Sequence, residues 1–176
     1  LVFLLVRVLG MSTAFAAALL LAISPAMVFY SRYYIQEMLL VCFTLGAIVA
    51  GIRYAGSRRV GWAILAGVFI GLMHATKETA VIALAAMVSA LIITLVIRQR
   101  EGGDSVVKTL KSLKLSHISA GIAAALVISG LFYSSFFSNP AGILDSFSTY
   151  AAYITRTGHS NLHEHPWYYY FQLLTS

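Results

Sequence analysis

Runs of apolar residues, separated by short polar stretches, make up most of the chain. A helix needs about 20 largely apolar residues to cross about 30 Å of hydrocarbon. One such run begins at Leu1 or Gly10 and continues to Pro25, which ends or turns the helix. Others cover about 38–54 and 117–137. This pattern predicts an all-α polytopic membrane helix bundle.

The apolar stretch 60–97 is too long for one crossing, because its 38 residues would form a helix of about 57 Å. The polar segment 74–79 divides it into two helices, which predicts a hairpin with a polar tip. On the first arm, Gly67 and Gly71 form a GxxxG pattern. It either lets a neighbouring helix approach closely or reflects ordinary packing variation. The count is then about five transmembrane helices plus the start of a sixth, in a fragment truncated at both ends.

Two polar segments are long enough to hold structure of their own. The loop at 98–116 has apolar residues at helical spacing and lysines on another face. This pattern indicates either a basic amphipathic helix on the anionic cytoplasmic leaflet or a solvated charge run. The outer loop at 138–166 contains three aromatic residues spaced by three, so part of it is expected to lie on the membrane as a helix. These residues are Phe147, Tyr150 and Tyr153.

Composition supports the membrane prediction. Hydrophobic residues make up 60% of the chain, charged residues 10%, and the mean hydropathy is +0.85. Soluble domains are about 45–50% apolar and about 25% charged. The net charge of +6 does not indicate nucleic-acid binding, because the basic residues lie in short loops between apolar runs. The single cysteine, Cys42, excludes an internal disulfide.

Charge also orients the chain. The loops at 53–59 and 98–116 carry eight Lys or Arg residues, whereas the opposite side carries three. The positive-inside bias therefore places these two loops in the cytoplasm. Alternation of the helices then gathers the other polar segments on the outer face. Those segments are 31–37, 74–79 and 138–166.

Four charged residues on that face are candidates for chemistry. Ionisable groups near membrane depth are costly and often mark a functional site, which singles out Lys77 and Glu78. The alternative is a solvated turn whose charges reach water. Arg32 either binds phosphate oxygens bidentately or lies at the interface beside tyrosines. On one continuous helix Arg32 and Glu37 would be about 140° apart, too far for a local ion pair.

Histidines near the C-terminus raise the question of a metal. His159, His163 and His165 are weak candidates as ligands. Their spacing is not H-E-x-x-H, because Trp167 occupies the position of the second histidine. Loop histidines without a metal are the alternative. No cofactor is indicated with certainty, and a divalent metal stays open.

The polar strings resemble a known superfamily. Residues 23–25 and 30–37 are similar to the SP…YSR…E/D signature of polyprenyl-phosphate-sugar-dependent glycosyltransferases, the GT-C superfamily. That superfamily includes protein O-mannosyltransferases and lipid A aminoarabinose transferases. Gly67 and Gly71, followed by 75–78, resemble its G…G…TK hairpin. With HPWYYY at 165–170, the chain most resembles the flippase-activity-associated group of archaeal-type N-glycosylation.

The resemblance implies a membrane glycosyltransferase that moves a sugar from a polyprenyl-phosphate donor to an acceptor hydroxyl on the outer face of a prokaryotic plasma membrane. Arg32 and Lys77 would bind the donor phosphate, and Glu37 and Glu78 are candidate catalytic carboxylates. The superfamily's general base usually lies in the first outer loop, so it is expected upstream of Leu1. The expected supporting residues are Ser31, Tyr33, Tyr34, His74, His163, His165 and Trp167.

A non-catalytic function is the alternative. The same cations could bind a lipid phosphate without chemistry, as in a transporter or a flippase accessory protein for lipid-linked sugars. A structural membrane scaffold is a third possibility. The expected partners are a polyprenyl-phosphate-sugar lipid, the bilayer and an acceptor protein or glycan, with no nucleic acid. An acidic residue in an outer loop upstream of Leu1 would favour the enzyme.

Overall fold

The computed structural model describes residues 1–33, 35–102 and 113–157, and this part of the chain is helical without strands. A 3-10 turn at Val2–Leu5 precedes eight α-helices in the described part. They are α1 (Val6–Leu9), α2 (Met11–Ile23), α3 (Pro25–Arg32), α4 (Gln36–Ser57), α5 (Val60–Thr76), α6 (Ala80–Arg100), α7 (Leu115–Tyr133) and α8 (Gly142–Thr157).

Three of these helices, α4, α6 and α7, are long and apolar enough to cross a membrane. The pair α2 and α3, bent by 55° at its break, makes a fourth if it is one span. Helix α5 is apolar but has 17 residues, at the lower limit of length for a crossing. The predicted class, a helical membrane bundle, is confirmed. The start of a sixth helix lies outside the described residues.

The chain breaks twice before α4. Ser24 is extended and Pro25 takes the first position of α3, where its missing N–H costs no hydrogen bond. A second break follows Arg32, and Ile35 is again extended (φ −84°, ψ 134°). Arg32 and Glu37 therefore do not share one continuous helix. The angular separation expected for them on such a helix does not apply.

Helix α5 lies at the centre of the bundle, and glycines bring α7 close to it. A Cβ atom added at Gly67 would overlap the backbone carbonyl of Gly121, and one at Gly71 would lie 2.6 Å from the carbonyl oxygen of Ala125. Backbones approach this closely only where side chains are absent or very small. The close-approach interpretation of the GxxxG pattern is confirmed.

The opposite face of α5 packs on α4. A Cβ atom at Gly46 of α4 would lie 2.6 Å from the ring of Phe69, so the missing side chain makes room for the phenylalanine. The small core on this side consists of Ala47, Met73 and Ala80, one residue from each of α4, α5 and α6. Burying these apolar groups against one another fixes how the three helices meet.

Helix α6 separates from its neighbours after its first turns. It contacts the core through Ala80, Ala83, Leu84 and Met87. The break predicted at the polar tip is confirmed, but the two arms do not pack along their length within the described bundle. The remainder of α6 exposes an apolar surface, which suits lipid or another helix. Its exposed large residues there are Val88, Leu91, Ile92, Ile93, Val96 and Ile97.

Two ends of the bundle can be defined from these contacts. Along α5, Gly67 and Gly71 meet Gly121 and Ala125 in the same order, so α5 and α7 run parallel. The start of α4 and the ends of α5 and α7 therefore lie together, and we name this the Lys77 end. The end of α4 and the starts of α5 and α7 form the Arg53 end. There the Tyr54 hydroxyl lies 3.4 Å from His117 Nδ1.

Helix α7 ends at Tyr133, four residues before the predicted boundary. It stops because Ser135, Phe136 and Phe137 are all left-handed, with φ of 49°, 55° and 68°. The segment predicted as a loop at 138–166 contains α8, so the expected helix in it is present. The basic helix expected within 98–116 falls mostly on 103–112, which lie outside the described residues.

Candidate functional site

Lys77 follows the last residue of α5 and leaves the helix with an extended backbone (φ −161°, ψ 145°). Its ammonium group forms an ion pair with the carboxylate of Glu37, in the first turn of α4. Within the residues that the structure describes, this is the one ion pair between a basic and an acidic side chain. It joins two of the polar segments that the topology predicts on one side of the membrane.

The ion pair is accessible rather than buried. The Lys77 side chain is 29% exposed and that of Glu37 is 51% exposed. A lysine ammonium has three donors, and one of them is used on Glu37. The other two N–H bonds of Lys77 can reach a second anion. Glu37 lies at the N-terminus of α4, where the helix dipole favours a negative charge.

Glu78 points to a different role from its neighbour. It is half-buried, and its side chain makes no hydrogen bond or ion pair with the described residues. Lys77 and Glu78 therefore do not pair with each other, as expected for neighbours in sequence. Glu78 remains a carboxylate at the Lys77 end whose charge is not compensated by a described cation.

A polar cluster lies one turn below Lys77, between α5 and α7. His74 Nδ1 is 2.6 Å from the Ser129 hydroxyl, and the Tyr133 hydroxyl donates to the His74 carbonyl oxygen at 3.0 Å. The rings of His74 and Tyr133 are 5.1 Å apart. Ser129 and Tyr133 are four residues apart and so share one face of α7.

Sequence reasoning identified His74 as a supporting residue but missed Ser129 and Tyr133. A signal for them did exist, because a serine and a tyrosine at helical spacing interrupt an otherwise apolar α7. Without the parallel packing of α5 and α7, however, nothing in the sequence indicates that they meet His74. The cluster fixes the last turns of both helices beneath the Lys77–Glu37 pair.

The Y-S-R string lies apart from this pair. Arg32 is exposed at the end of α3, and its side chain makes no ion pair or hydrogen bond with the described residues. The Ser31 hydroxyl donates to the carbonyl of Val28 in its own helix, at 2.9 Å. The ring of Tyr33 packs 4.8 Å from that of Phe29. The structure therefore brings Glu37 and Lys77 together, but does not place Arg32 in contact with them.

Several predicted site residues cannot be located in this way. Tyr34, His159, His163, His165 and Trp167 lie outside the described residues. Among the described part of the chain, no group of three His, Cys, Asp or Glu residues is close enough to hold a metal ion. The metal expectation for the C-terminal histidines stays a prediction.

The fold and this site define a helical membrane protein with an accessible lysine–glutamate pair at one end of its bundle. The family described as dolichyl-phosphate-mannose-protein mannosyltransferase matches residues 1–133 of the 176, and the chain belongs to it. Membership in this GT-C-type family confirms the superfamily resemblance and implies a membrane glycosyltransferase with a polyprenyl-phosphate sugar as donor. No curated protein and no solved structure matches the chain significantly.

Proposed function

We propose that this chain carries the donor-phosphate site of a glycosyltransferase that acts on the outer face of a prokaryotic plasma membrane. The supporting observation is the accessible Lys77–Glu37 pair, which unites the two motif segments that resemble the superfamily. An ammonium group with two free donors suits a phosphate, because charge-assisted hydrogen bonds are stronger than neutral ones. The donor's prenyl chain would stay in the bilayer while its phosphate reaches Lys77.

In the proposed reaction, an acceptor hydroxyl oxygen attacks the anomeric carbon of the sugar. The new carbon–oxygen bond forms as the bond between the anomeric carbon and the phosphate oxygen breaks, and the electron pair leaves with the polyprenyl phosphate. The hydroxyl proton passes to a carboxylate base. Lys77 stabilises the charge that develops on the departing phosphate. Glu37 positions Lys77, which makes Glu78 the better base candidate within the described residues.

Arg32 is proposed to assist from the end of α3. It is exposed and has no described side-chain partner, so its guanidinium group is available to a second phosphate oxygen. The donor would then bridge Arg32 and Lys77, which do not touch each other in the absence of ligand. The acceptor is proposed to be a protein or glycan hydroxyl, in keeping with the family description.

The sidedness of this proposal rests on charge. The Arg53 end carries the basic loops, so it would face the cytoplasm, with 98–116 on that side and 138–166 on the other. The chain would thus form a single transmembrane domain within a longer protein. The flippase-activity-associated group is the proposed subgroup, supported by the strings at 30–37, 75–78 and 165–170.

Replacing Lys77 in the full-length protein tests the function. Lys77→Met keeps most of the side-chain volume but removes the charge, and Lys114→Met is the matched control at the exposed start of α7. With polyprenyl-phosphate mannose as donor, we expect transfer to fall at least about tenfold in Lys77→Met, the loss of one charge-assisted hydrogen bond. Lys114→Met should retain wild-type transfer. Equal rates for both variants would refute the role of Lys77.

The same assay separates the enzyme from a non-catalytic accessory protein. Donor binding that depends on Lys77, without any transfer by the wild-type full-length protein to protein or glycan acceptors, would favour a transporter or a flippase accessory protein. Transfer by the wild type supports the glycosyltransferase.

A further inference from the structure

A second polar site lies at the Arg53 end, on the opposite side of the bundle from Lys77. A cavity of about 530 Å³ opens between the N-terminal turn, the end of α4 and the start of α5. Two arginines, a serine and a tryptophan line it together with apolar side chains. The lining residues used below are Leu4, Arg53, Gly56, Ser57, Arg59 and Trp62.

Arg53 is held in place within this cavity. Its Nε and one Nη donate to the carbonyl oxygen of Leu4, at 3.0 and 2.6 Å. Its guanidinium carbon lies 5.8 Å from the centre of the Trp62 ring, within the range of a cation–π contact. A guanidinium group has five N–H donors, so the other nitrogen remains available to a ligand. The cavity thus contains a cation whose position is already fixed.

No described carboxylate compensates the positive charge of this cavity. Neither Arg53 nor Arg59 forms an ion pair within the described residues, and Arg59 is exposed. Two uncompensated guanidinium groups beside a serine hydroxyl match a phosphate, which arginine binds through paired N–H donors.

The surroundings favour a lipid over a soluble anion. A second, more open hollow of about 360 Å³ shares Arg59 and Trp62 with the cavity and adds Gly61 and Leu65. Its lining is almost entirely apolar and follows α5 away from the arginines. Tryptophan is enriched where hydrocarbon meets lipid headgroups. A phosphate beside the arginines would therefore leave an acyl chain in contact with the apolar side of α5.

We propose that this cavity binds the phosphate headgroup of an anionic phospholipid from the leaflet at the Arg53 end. The lipid is distinct from the sugar donor, whose phosphate is assigned to the other end of the bundle. By bridging the N-terminal turn, α4 and α5, it would fix the segment before α2 to the rest of the bundle. The two sites can be tested separately.

Native mass spectrometry of the full-length protein, with phosphatidylglycerol and phosphatidylcholine added in equal amounts, tests the proposal. We expect the wild type to retain phosphatidylglycerol preferentially, and Arg59→Gln to retain about tenfold less, as for the loss of one charge-assisted hydrogen bond. Arg58→Gln is the matched control, because its guanidinium group lies over the Tyr54 ring and does not line the cavity. Equal losses in both variants would reduce the effect to general charge and overturn the site.

A second pair of variants tests the cavity without removing any charge. Gly56 lines the cavity and Gly51 does not, and a Cβ atom at either glycine meets no atom within 4 Å. Gly56→Leu should fill the cavity and weaken phosphatidylglycerol retention, whereas Gly51→Leu should leave it unchanged. Retention by Gly56→Leu at the wild-type level would contradict the proposal. Inorganic phosphate that displaces phosphatidylglycerol at equal concentration would show that acyl chains contribute nothing, and would overturn the lipid assignment.

Discussion

Lys77 and Glu37, 40 residues apart in the sequence, form an ion pair that joins the end of α5 to the first turn of α4. The pair exists because α4 and α5 run antiparallel, so the start of one meets the end of the other. Its exposed position leaves the lysine accessible from outside the bundle. A contact needed only for packing would not require a charged group to remain open to ligand.

Exchanging the two charges distinguishes a structural role from a binding role. The double variant Lys77→Glu with Glu37→Lys keeps an ion pair between α5 and α4 but moves the cation to α4. We expect its melting temperature to remain near that of the wild type, because exposed ion pairs contribute little to stability. Transfer from the lipid-linked donor should stay at least about tenfold reduced, because the phosphate would meet a carboxylate at position 77.

Both single variants serve as controls for that exchange. Glu37→Gln leaves the lysine in place and should retain more transfer than Lys77→Gln. If the charge exchange restored transfer to the wild-type level, the pair would act through its structure alone, and the binding role of Lys77 would be wrong.

Packing of α5 on α7 predicts a strong asymmetry between two glycines of α5. Gly67→Ala places a methyl group against the Gly121 backbone, so the helices must move apart at a cost of about 1–3 kcal/mol in the free energy of unfolding. Gly61→Ala is the control, because a Cβ atom there meets nothing within 4 Å. Denaturation in mixed micelles measures both. Similar free energies for the two variants would contradict the close approach.

Much of this arrangement could be predicted from the sequence. The lengths of the apolar runs determine where helices can cross, and the polar tip at 74–79 had to interrupt a stretch too long for one span. The glycine pattern at Gly67 and Gly71 indicated a close neighbour but not its identity. Alternation of crossings then brought Glu37 and Lys77 to one side of the membrane. These features depend on local composition, which a sequence states directly.

Other features depend on how helices pack, which the sequence does not state. The partners of His74 on α7 follow from the parallel alignment of α5 with α7. The early end of α7 follows from the left-handed residues after Ser134, and none of them is a glycine that would signal such a turn. The contact of Arg53 with the Leu4 carbonyl joins segments 49 residues apart.

The hydrogen bond between Ser129 and His74 predicts a further difference between two serines of α7. Ser129→Ala removes the partner of the His74 ring nitrogen inside the bundle, which should cost about 1–2 kcal/mol in the free energy of unfolding. The Ser119 hydroxyl instead donates to its own helix at Ser116, so Ser119→Ala should change stability by less than about 0.5 kcal/mol. If the two variants unfolded alike, the His74 contact would carry no stability.

The turn after α7 is predicted to be strained. Ser135 has φ of 49°, a region that costs most residues roughly 1–2 kcal/mol. Ser135→Gly should therefore stabilise the protein by about 0.5–1 kcal/mol, after allowing for the greater chain entropy of glycine. Ser138→Gly is the control, because Ser138 does not have a positive φ and should only lose stability. A loss in both variants would be inconsistent with a left-handed Ser135.

Sidedness is the most direct test of the account, because the proposed donor reaches Lys77 only if that end lies outside the cytoplasm. In a Cys42→Ser background, the exposed residues Thr79 and Ser57 are replaced in turn by cysteine in the full-length protein, and intact cells are treated with a membrane-impermeant thiol reagent. We expect Thr79→Cys to be labelled in intact cells and Ser57→Cys only after permeabilisation. Labelling of Ser57→Cys in intact cells, with Thr79→Cys protected, would contradict the account.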